Sequence, residues 1–366
     1  MTISAPGPRV CLVAVPLMAR SGVYRSAHDL VASARATGHD WTALLGVRPD
    51  APGRPQSAPG VLEFEFAGRG RAGVRDLRTR IDSSRQVLQS DVVITLIPQS
   101  DVALAGSEAR ASRAWVAWVR GKPWPARGEQ PFWRTQALRA IESRALRSAD
   151  AVWATTPVLA SDFSSVRSAD IVPAGIAPLP RTSWGRSTSG PLVWAGRVDQ
   201  DKRPAMFRDI VRLTGHEGRA YGLGPLYSSL SRDSVEGLDW AGWAESSSLW
   251  HDASIFVGTS KREAFGRSAV EAAASGVPIV IGSAYGAAPL LFTDAQLAAA
   301  CVIDSDDPTV WAVAVKNLLD DPDLRSAVSE HVHLNARRLT IASSMQYAAS
   351  RATDLWGRRS SRGLLL

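Results

Sequence analysis

Short β-branched runs alternate with amphipathic helical stretches almost from end to end of this chain, and this alternation restricts its fold more than any other feature. It is typical of parallel sheets covered by helices. The first run, residues 10–15, leads through a loop into a helical pattern over residues 26–37 that stops at Gly38. A second series begins at residues 192–196. The sequence therefore predicts an α/β protein with parallel sheets.

Further strands are predicted in both halves from their β-branched and aromatic content. They lie at residues 91–97, 114–119 and 151–155, near Ala220, near Ile255 and at 277–281. Pro131 can start a helix in the first half. We expect the buried face of that helix to consist of residues at four-residue spacing, namely Trp133, Ala137, Ile141 and Ala145.

Length and composition support two globular domains. The chain has 366 residues, 45% of them hydrophobic, and a formal charge of +7, which excludes a disordered protein. A stretch rich in Pro, Gly, Ser and Thr interrupts the alternation. We predict a first domain over residues 1–173, a linker over 174–190 and a second domain that begins at residue 191.

Cysteine usage and hydropathy indicate the compartment. Only Cys11 and Cys301 are present, too few for a disulfide framework, and the N-terminal apolar run is short and lacks a signal-peptide cleavage site. No run approaches the roughly 20 apolar residues that cross a bilayer. We expect a cytoplasmic protein with, at most, peripheral membrane contact.

A basic turn at residues 196–204 follows a predicted strand and precedes a predicted helix. It places Arg197 and Lys202 at the carboxyl end of the sheet, where open α/β sheets bind ligands. Two cations there suit a diphosphate, and the alternative is a solvated basic turn. Aspartate pairs at 199 and 201 and at 304 and 306 could bind Mg²⁺, but aspartate is common in turns, and we expect no metal site.

Gly222 and Gly224 form a Gly-x-Gly segment after another predicted strand. A dinucleotide-binding fingerprint needs a third glycine, and Tyr227 occupies its position, which argues against NAD. Two interpretations stay open. The glycines allow the backbone to approach a ligand closely, or they form a tight turn between strand and helix.

Two glutamates flank the predicted start of a helix over residues 266–274. Glu263 lies in the loop before the helix and Glu271 lies within it. The free amides at such a start form an anion site, and nearby carboxylates can accept hydrogen bonds from ribose and sugar hydroxyls. These amides belong to Phe265, Gly266 and Arg267. Alternatively, Glu263 is only stabilised by the helix dipole and Glu271 is a surface residue.

Together these segments, in this order and spacing, resemble the donor-binding domain of retaining GT-B glycosyltransferases of family 4, the glycosyl transferases group 1. The resemblance covers roughly residues 191–321 and includes 276–280 and 318–322. It implies two Rossmann-like parallel-sheet domains facing across a cleft, the first for the acceptor and the second, to residue 340, for the nucleotide-sugar donor. A C-terminal helix within residues 341–366 would cross back to the first domain.

The resemblance also implies a role for each candidate residue. Arg197 and Lys202 would hold the donor diphosphate, Glu271 the nucleotide ribose and Glu263 the donor sugar. The other donor-side residues are Gly222, Gly224, Gly242, Trp243, Phe265, Gly266 and Arg267, with Gly242 and Trp243 lining the base. Ala264 departs from the family pattern, which usually has Gly there, and residues 286–289 lack the usual carboxylate.

The reaction implied is retaining transfer of a hexose-type sugar from a UDP- or GDP-linked donor to a hydroxyl of a glycan, lipid-linked or small-molecule acceptor. Members of this family are thought to use front-side attack, in which the departing diphosphate oxygen accepts the acceptor proton. The resemblance therefore implies no metal and no other cofactor.

The first half matches the family more loosely. Gly22 resembles the glycine of the family's opening loop, and residues 142–152 and 172–176 resemble two further segments. Many members carry a His after the strand at 114–119, near the donor sugar, whereas this chain has Arg120. Because Arg cannot act as a base, either proton removal does not need this side chain or Arg120 holds an anionic acceptor.

Residues 110–147 carry nine basic and two acidic residues, an excess equal to that of the whole chain. Four tryptophans lie among them: Trp115, Trp118, Trp124 and Trp133. One interpretation is a face for an anionic membrane, at the inner side of the plasma membrane, or a lipid-phosphate acceptor site. The alternative is that Trp115 and Trp118 pack within a strand and that the arginines reflect the coding bias of a GC-rich genome. No nucleic-acid-binding module is recognised, and we expect no nucleic-acid partner.

Other functions share the expected fold. A GT-B nucleotide-sugar epimerase needs acid/base carboxylates or His in the first domain, and a phosphorylase needs a cofactor lysine. Neither set is located in the sequence. A non-catalytic or divergent sugar-nucleotide-binding protein is the stronger alternative, because Arg120 replaces the expected His.

Overall fold

The structure is a computed structural model that describes residues 7–20, 22–125, 129–181, 189–245 and 248–363. The chain divides into two units. Unit 1 consists of residues 1–175 and 341–366, and unit 2 of residues 176–340. The divide falls inside the predicted linker, of which residues 182–188 lie outside the described part.

Unit 1 is built on a seven-stranded parallel sheet in the order β3-β2-β1-β4-β5-β6-β7. Its strands are β1 (Val10–Leu17), β2 (Trp41–Val47), β3 (Val61–Glu65), β4 (Val92–Thr95), β5 (Ala114–Val119), β6 (Ala151–Ala154) and β7 (Asp170–Ile171). The central strands are buried on both faces, as expected where helices cover a parallel sheet. The four strands predicted in this half are confirmed.

Seven helices of unit 1 precede the divide in the described part of the chain. They are α1 (Val23–Ala36), α2 (Gly70–Ser83), α3 (Arg85–Leu88), α4 (Pro98–Ala105), α5 (Ala109–Ser112), α6 (Phe132–Ser148) and α7 (Pro157–Asp162). The predicted helix at residues 26–37 corresponds to α1, and the helix predicted to start at Pro131 corresponds to α6. Pro131 occupies the N-cap position of α6.

The buried face predicted for α6 is wrong. Trp133 is 72% exposed, Ile141 is 48% exposed and Ala137 is also exposed, so only Ala145 of the predicted set is buried. At 3.6 residues per turn, side chains four residues apart advance by about 40° each, so the set winds away from a single face. The buried side chains of α6 are Ser143, Ala145 and Leu146, all in its second half.

Unit 2 is built on a six-stranded parallel sheet in the order β10-β9-β8-β11-β12-β13. Its strands are β8 (Leu192–Ala195), β9 (Gly218–Tyr221), β10 (Leu238–Gly242), β11 (Ile255–Gly258), β12 (Ile279–Gly282) and β13 (Val302–Ile303). The four strands predicted in this half are confirmed. The strand order reverses between β8 and β11, and open sheets of this class bind ligands at such a reversal.

The helices of unit 2 are α8 (Pro204–Thr214), α9 (Tyr227–Arg232), α10 (Arg267–Ala274), α11 (Ala288–Leu291), α12 (Ala295–Cys301), α13 (Pro308–Asp320) and α14 (Pro322–Ala336). Gly276 follows α10 with a φ of 81°, which confirms the left-handed position predicted for it. Asp294, Asp307 and Asp321 cap α12, α13 and α14.

The last helix, α15 (Ile341–Gly363), belongs to unit 1 and packs on α1 and β5. Met345, Ala348 and Ala352 are buried in the same core as the central strands. Arg359 adds an ion pair to Asp150 at 3.1 Å. The chain therefore returns to unit 1 after unit 2, as the family resemblance implies. Among the described residues, no helix is both long and apolar enough to cross a membrane.

Candidate functional site

The candidate site lies at the carboxyl edge of the unit 2 sheet, where the loops after β8, β9, β10, β11 and β12 emerge. The central feature is an ion pair between the Lys202 ammonium and the Glu263 carboxylate. The two residues are 61 positions apart, and each side chain is mostly buried. The fold therefore brings together two residues to which the family resemblance gives the diphosphate and the donor sugar.

Hydrogen bonds within the turn and to Thr259, the residue after β11, hold the turn that carries Lys202. Asp199 caps the short 3₁₀ turn, because its Oδ1 accepts from the Lys202 backbone N–H at 3.1 Å. The Thr259 hydroxyl lies 2.9 Å from the Lys202 carbonyl and accepts from the Trp194 indole N–H at 3.0 Å. Arg203 donates to the Thr259 carbonyl at 2.7 Å.

Thr259 was not singled out from the sequence. The signal was present, because Thr259 is the first residue after β11, at the sheet edge where sites form. Its side chain is fully buried. Thr259 is therefore a positioning residue for the basic turn.

Arg197 differs from Lys202 in its surroundings. Its side chain is 70% exposed, and the guanidinium is paired with Asp199. Three of the aspartates considered as metal ligands are engaged by donors: Asp199 by Arg197, Asp306 by Arg203, and Asp304 by the Ser283 hydroxyl at 2.6 Å.

Gly222 and Gly224 allow two loops to touch. A Cβ atom at Gly222 would lie 1.8 Å from the Gly196 carbonyl oxygen, and one at Gly224 would lie 2.5 Å from the Val198 carbonyl oxygen. The Val198 N–H donates to the Leu223 carbonyl at 3.1 Å across this contact. The close approach that these glycines permit in the structure is thus to the backbone of the basic turn.

The start of α10 faces the same edge. Gly266 precedes the helix with a φ of 93°, and a Cβ there would lie 2.4 Å from Cδ1 of Tyr285. The first amides of α10, from Arg267 onward, have no acceptor within the helix. The Gly286 N–H donates to the Glu263 carbonyl at 2.9 Å, and the Ala287 N–H donates to the Phe265 carbonyl at 2.9 Å. The loop after β12 therefore fixes the loop that carries Glu263.

Tyr285 packs against Gly266, at the end of the loop that carries Glu263. It is buried, and its hydroxyl lies 3.2 Å from the Ser260 hydroxyl. Burial raises the pKa of Tyr285, and the neighbouring Glu263 charge raises it further. Tyr285 is therefore a neutral positioning residue at physiological pH, and the sequence analysis did not single it out.

Glu271 is 6% exposed and accepts a hydrogen bond from the Arg267 guanidinium at 2.9 Å. The alternative interpretation of Glu271 as a surface residue is therefore wrong. A buried carboxylate needs such partners, because burial of an unpaired charge is costly.

Gly242 and Trp243 lie after β10. Gly242 has a φ of 72°, and its carbonyl accepts from the Gly222 N–H at 2.6 Å. Trp243 is 59% exposed, and the nearby Leu223 side chain is exposed as well. Two apolar side chains are therefore presented to solvent beside the glycine-rich loop.

The acceptor-side candidates belong to unit 1. Gly22 has a φ of 47° and precedes α1. The Arg120 guanidinium lies over the Trp118 ring, 4.5 Å from its centroid. Trp115 and Trp118 are buried in β5, as the packing interpretation predicted, whereas Trp133 is exposed. Of the basic residues in this stretch, Arg127 lies outside the described part of the chain.

Comparisons with solved structures identify the fold. Sucrose-phosphate synthase of Thermosynechococcus elongatus superimposes with a TM-score of 0.77 over 96% of this chain and 100% of that chain, at 14% identity. Alr3699/HepE of Anabaena, solved with UDP and glucose, gives 0.72 over 94% and 100%, at 15% identity. WaaG, a glycosyltransferase of lipopolysaccharide biosynthesis, gives 0.66 over 94% and 99%, at 15% identity. The two Rossmann-like parallel sheets thus have GT-B structures as neighbours.

Sequence comparisons cover a smaller part of the chain. A D-inositol 3-phosphate glycosyltransferase of Corynebacterium kroppenstedtii is 33% identical over 145 residues, which span 40% of this chain and 28% of that protein. The enzyme of the same name from Corynebacterium urealyticum is 34% identical over 91 residues, 25% of this chain and 21% of that protein. Residues 230–333, which include Glu263 and Glu271, match the family model of glycosyl transferases group 1.

Proposed function

We propose that this protein is a retaining glycosyltransferase that moves a hexose-type sugar from a nucleotide diphosphate to an acceptor hydroxyl. The observation that carries the proposal is the Lys202–Glu263 pair at the carboxyl edge of the unit 2 sheet, next to the loop that enters α10. A cation, a carboxylate and free helix amides together match a diphosphate joined to a sugar. The match of residues 230–333 to glycosyl transferases group 1 supports the same reaction class.

In this proposal the leaving group is stabilised by charge. Arg197, Lys202 and the amides that begin α10 hold the diphosphate, whose negative charge grows as the glycosidic bond breaks. The departing phosphate oxygen takes the proton of the acceptor hydroxyl as that hydroxyl attacks the same face of the sugar. Glu263 binds the donor sugar and Glu271 binds the ribose. No metal ion takes part in these steps.

The donor that we propose to test first is a UDP-sugar. Structural neighbours were solved with UDP, with UDP and glucose, and with UDP-glucose. The exposed Trp243 ring offers an apolar surface for a base. The relatives named for D-inositol 3-phosphate make this compound the first acceptor to test.

The decisive experiment has two stages. The first stage is a thermal-shift measurement with UDP, GDP and ADP. One of these nucleotides should raise the melting temperature, because a bound ligand stabilises the folded state. Transfer and slow hydrolysis of the matching UDP- or GDP-sugar should then proceed with retention of configuration and survive EDTA. In the same assay the Lys202→Ala variant should lose turnover. Lys316→Ala, which removes an exposed lysine, is the matched control and should keep it.

Other outcomes separate the alternatives. Nucleotide binding without hydrolysis or transfer would favour a non-catalytic sugar-nucleotide-binding protein. Interconversion of the nucleotide sugar without transfer would favour an epimerase. Loss of turnover in EDTA that Mg²⁺ or Mn²⁺ restores would contradict metal independence and return attention to the aspartate pairs Asp199/Asp201 and Asp304/Asp306.

A second proposal concerns location. We propose that α6 attaches the protein to anionic lipid at the inner face of the plasma membrane. Support comes from Phe132, Trp133 and Ile141, which are exposed on a helix that also carries Arg134, Arg139, Arg144 and Arg147. Aromatic side chains flanked by Arg suit the interface of an anionic bilayer.

Liposome sedimentation tests this attachment. Binding should require anionic lipid, fall with salt and weaken in Trp133→Ser. Tyr347→Ser, which removes an exposed aromatic residue from α15, is the matched control. Equal recovery in the supernatant with neutral and anionic vesicles would refute the attachment.

A further inference from the structure

A pocket lies within unit 1, at the carboxyl edge of its sheet. The loops after β4 and β5 and the helices α4 and α6 enclose a cavity of about 110 Å³. Its lining includes Leu96, Asp101, Trp118, Arg120, Trp124 and Glu142. Apolar and aromatic walls surround two carboxyl groups, an arrangement that the proposed chemistry of unit 2 does not explain.

Asp101 is the first indication that this pocket has an occupant. It lies in the first turn of α4, is 6% exposed and lines the cavity. Its Oδ1 atom has no hydrogen-bond partner among the described residues. A buried polar atom without a partner costs about 1–3 kcal/mol, so such atoms in native proteins call for an explanation. A ligand hydroxyl would supply the missing partner.

Glu142 supplies the second carboxyl group. It projects from α6 into the same pocket. Burial raises the pKa of Asp101 to about 7; a hydrogen bond between the carboxyl and the Thr95 side chain opposes this shift, and the charge of Glu142 adds a smaller rise. Burial also raises the pKa of Glu142 to about 7, although a hydrogen bond from the Trp124 backbone opposes the shift. Near neutral pH the pair therefore both donates and accepts hydrogen bonds.

The walls of the pocket restrict the chemistry further. The Lys122 ammonium is engaged by Asp162 at 2.9 Å, and the Arg120 guanidinium lies over the Trp118 ring. Trp124 lines the pocket with a left-handed φ of 42°, a backbone conformation that costs energy in a residue other than glycine. Carboxyl groups suit hydroxyl partners, and aromatic rings favour the C–H face of a sugar-like ring.

We propose that this pocket binds the hydroxyl-bearing ring of a neutral polyol, such as a sugar or a cyclitol, through Asp101 and Glu142. The cavity volume limits the occupant to a single small ring or part of one. The inference rests on the proposed function, in which this polyol is the part of the acceptor held by unit 1. It also assigns the anionic part of any phosphorylated acceptor to a position outside this pocket.

Ligand-observed NMR tests the proposal with three probes: methyl α-D-glucopyranoside, myo-inositol and inorganic phosphate. At least one neutral polyol should bind the wild-type protein in the millimolar range, and phosphate should not compete. Asp101→Asn should weaken polyol binding about tenfold, because an amide cannot both accept as a carboxylate and donate as a carboxylic acid. Asp76→Asn, an exposed carboxylate paired with Arg80 at 3.6 Å, is the matched control.

A second variant guards against a folding defect in Asp101→Asn. Gly121 lines the pocket, and a Cβ atom added to it would have no atom within 4 Å. Gly121→Leu should therefore fill the pocket and abolish polyol binding without loss of stability. Absence of polyol binding to the wild type, or binding that both variants leave unchanged, would overturn the inference. Phosphate binding that Arg120→Gln removes and Asp101→Asn spares would also overturn it.

The thermal shift with UDP, GDP and ADP distinguishes this failure from a failure of the proposed function. A nucleotide-dependent shift without polyol binding refutes the pocket alone. Absence of any nucleotide-dependent shift refutes the proposed function on which the pocket depends.

Discussion

The two sheets place carboxyl groups at the same edge but in different electrostatic settings. In unit 2, Glu263 faces the Lys202 ammonium. In unit 1, Asp101 and Glu142 line an apolar pocket, where burial raises the pKa of both to about 7. Strand topology therefore selects where functional groups gather, and the nearest countercharge decides whether a carboxyl group is an anion or a neutral hydrogen-bonding group.

The two settings share one topological origin. The order of the strands reverses between β1 and β4 in the unit 1 sheet and between β8 and β11 in the unit 2 sheet. A reversal separates the loops on either side and leaves a crevice at the carboxyl edge. The crevices differ because the loops differ: the basic turn enters one, and the aromatic segment after β5 enters the other.

The largest effect is expected from removing the cation of unit 2. Lys202→Ala should lower kcat about 100-fold or more, roughly 3 kcal/mol, because the charge on the leaving diphosphate grows toward the transition state. Arg197→Ala should fall in the same range, and Arg197→Lys should recover only part of the loss. Single-turnover and steady-state kinetics with the nucleotide sugar identified by thermal shift provide the measurement.

The double variant sharpens this test. Arg197→Ala combined with Lys202→Ala should cost less than the sum of the single losses, since both cations act on one diphosphate. Turnover near the wild-type value in either alanine variant would show that the turn is only a solvated basic loop.

A smaller effect is expected from the carboxyl pair of unit 1. Because the folded-state pKa of Asp101 and of Glu142 is raised above the ordinary values, the folded protein binds more protons than the unfolded chain. The free energy of unfolding should therefore fall as pH rises through 7, by roughly 2 kcal/mol between pH 6 and pH 8 from these two groups. The contribution is constant above about pH 8.

Urea denaturation of the wild type and of Asp101→Asn/Glu142→Gln at pH 6, 7 and 8 measures this difference. The basic side chains of Arg120 and Lys122 also line the pocket. In the double variant, the free energy of unfolding should no longer show the fall with pH that these two carboxyl groups cause. Parallel pH profiles for the two proteins would contradict the neutral state of the pair.

The smallest effect separates the two glutamates of unit 2. Glu271→Gln should weaken nucleotide binding about tenfold, because its proposed partner is the ribose. Glu263→Gln should lower kcat and leave nucleotide affinity within about twofold of the wild type. Calorimetric titration with the nucleotide gives both affinities. Equal loss of affinity in the two variants would refute this division of roles.

Much of unit 2 could be predicted from the sequence because its signals are local. The strand at Ile279–Gly282, the helix at Arg267–Ala274 and the left-handed Gly276 each follow from neighbouring residues. The face of α6 could not be predicted in this way. The spacing of its apolar residues is compatible with several orientations, and only packing selects Ala145 and Leu146 as the buried residues.

The sequence by itself determined the α/β class, the order of the strands along the chain and the residue types gathered in the basic turn and around α10. Tertiary structure alone decided which of those residues meet. Lys202 reaches Glu263 across 61 positions because β8 and β11 are neighbours in the sheet. Asp101 and Glu142 share a pocket because α4 packs against α6. Local propensity acts over a few residues, whereas charge pairing and burial depend on distances that only the folded chain defines.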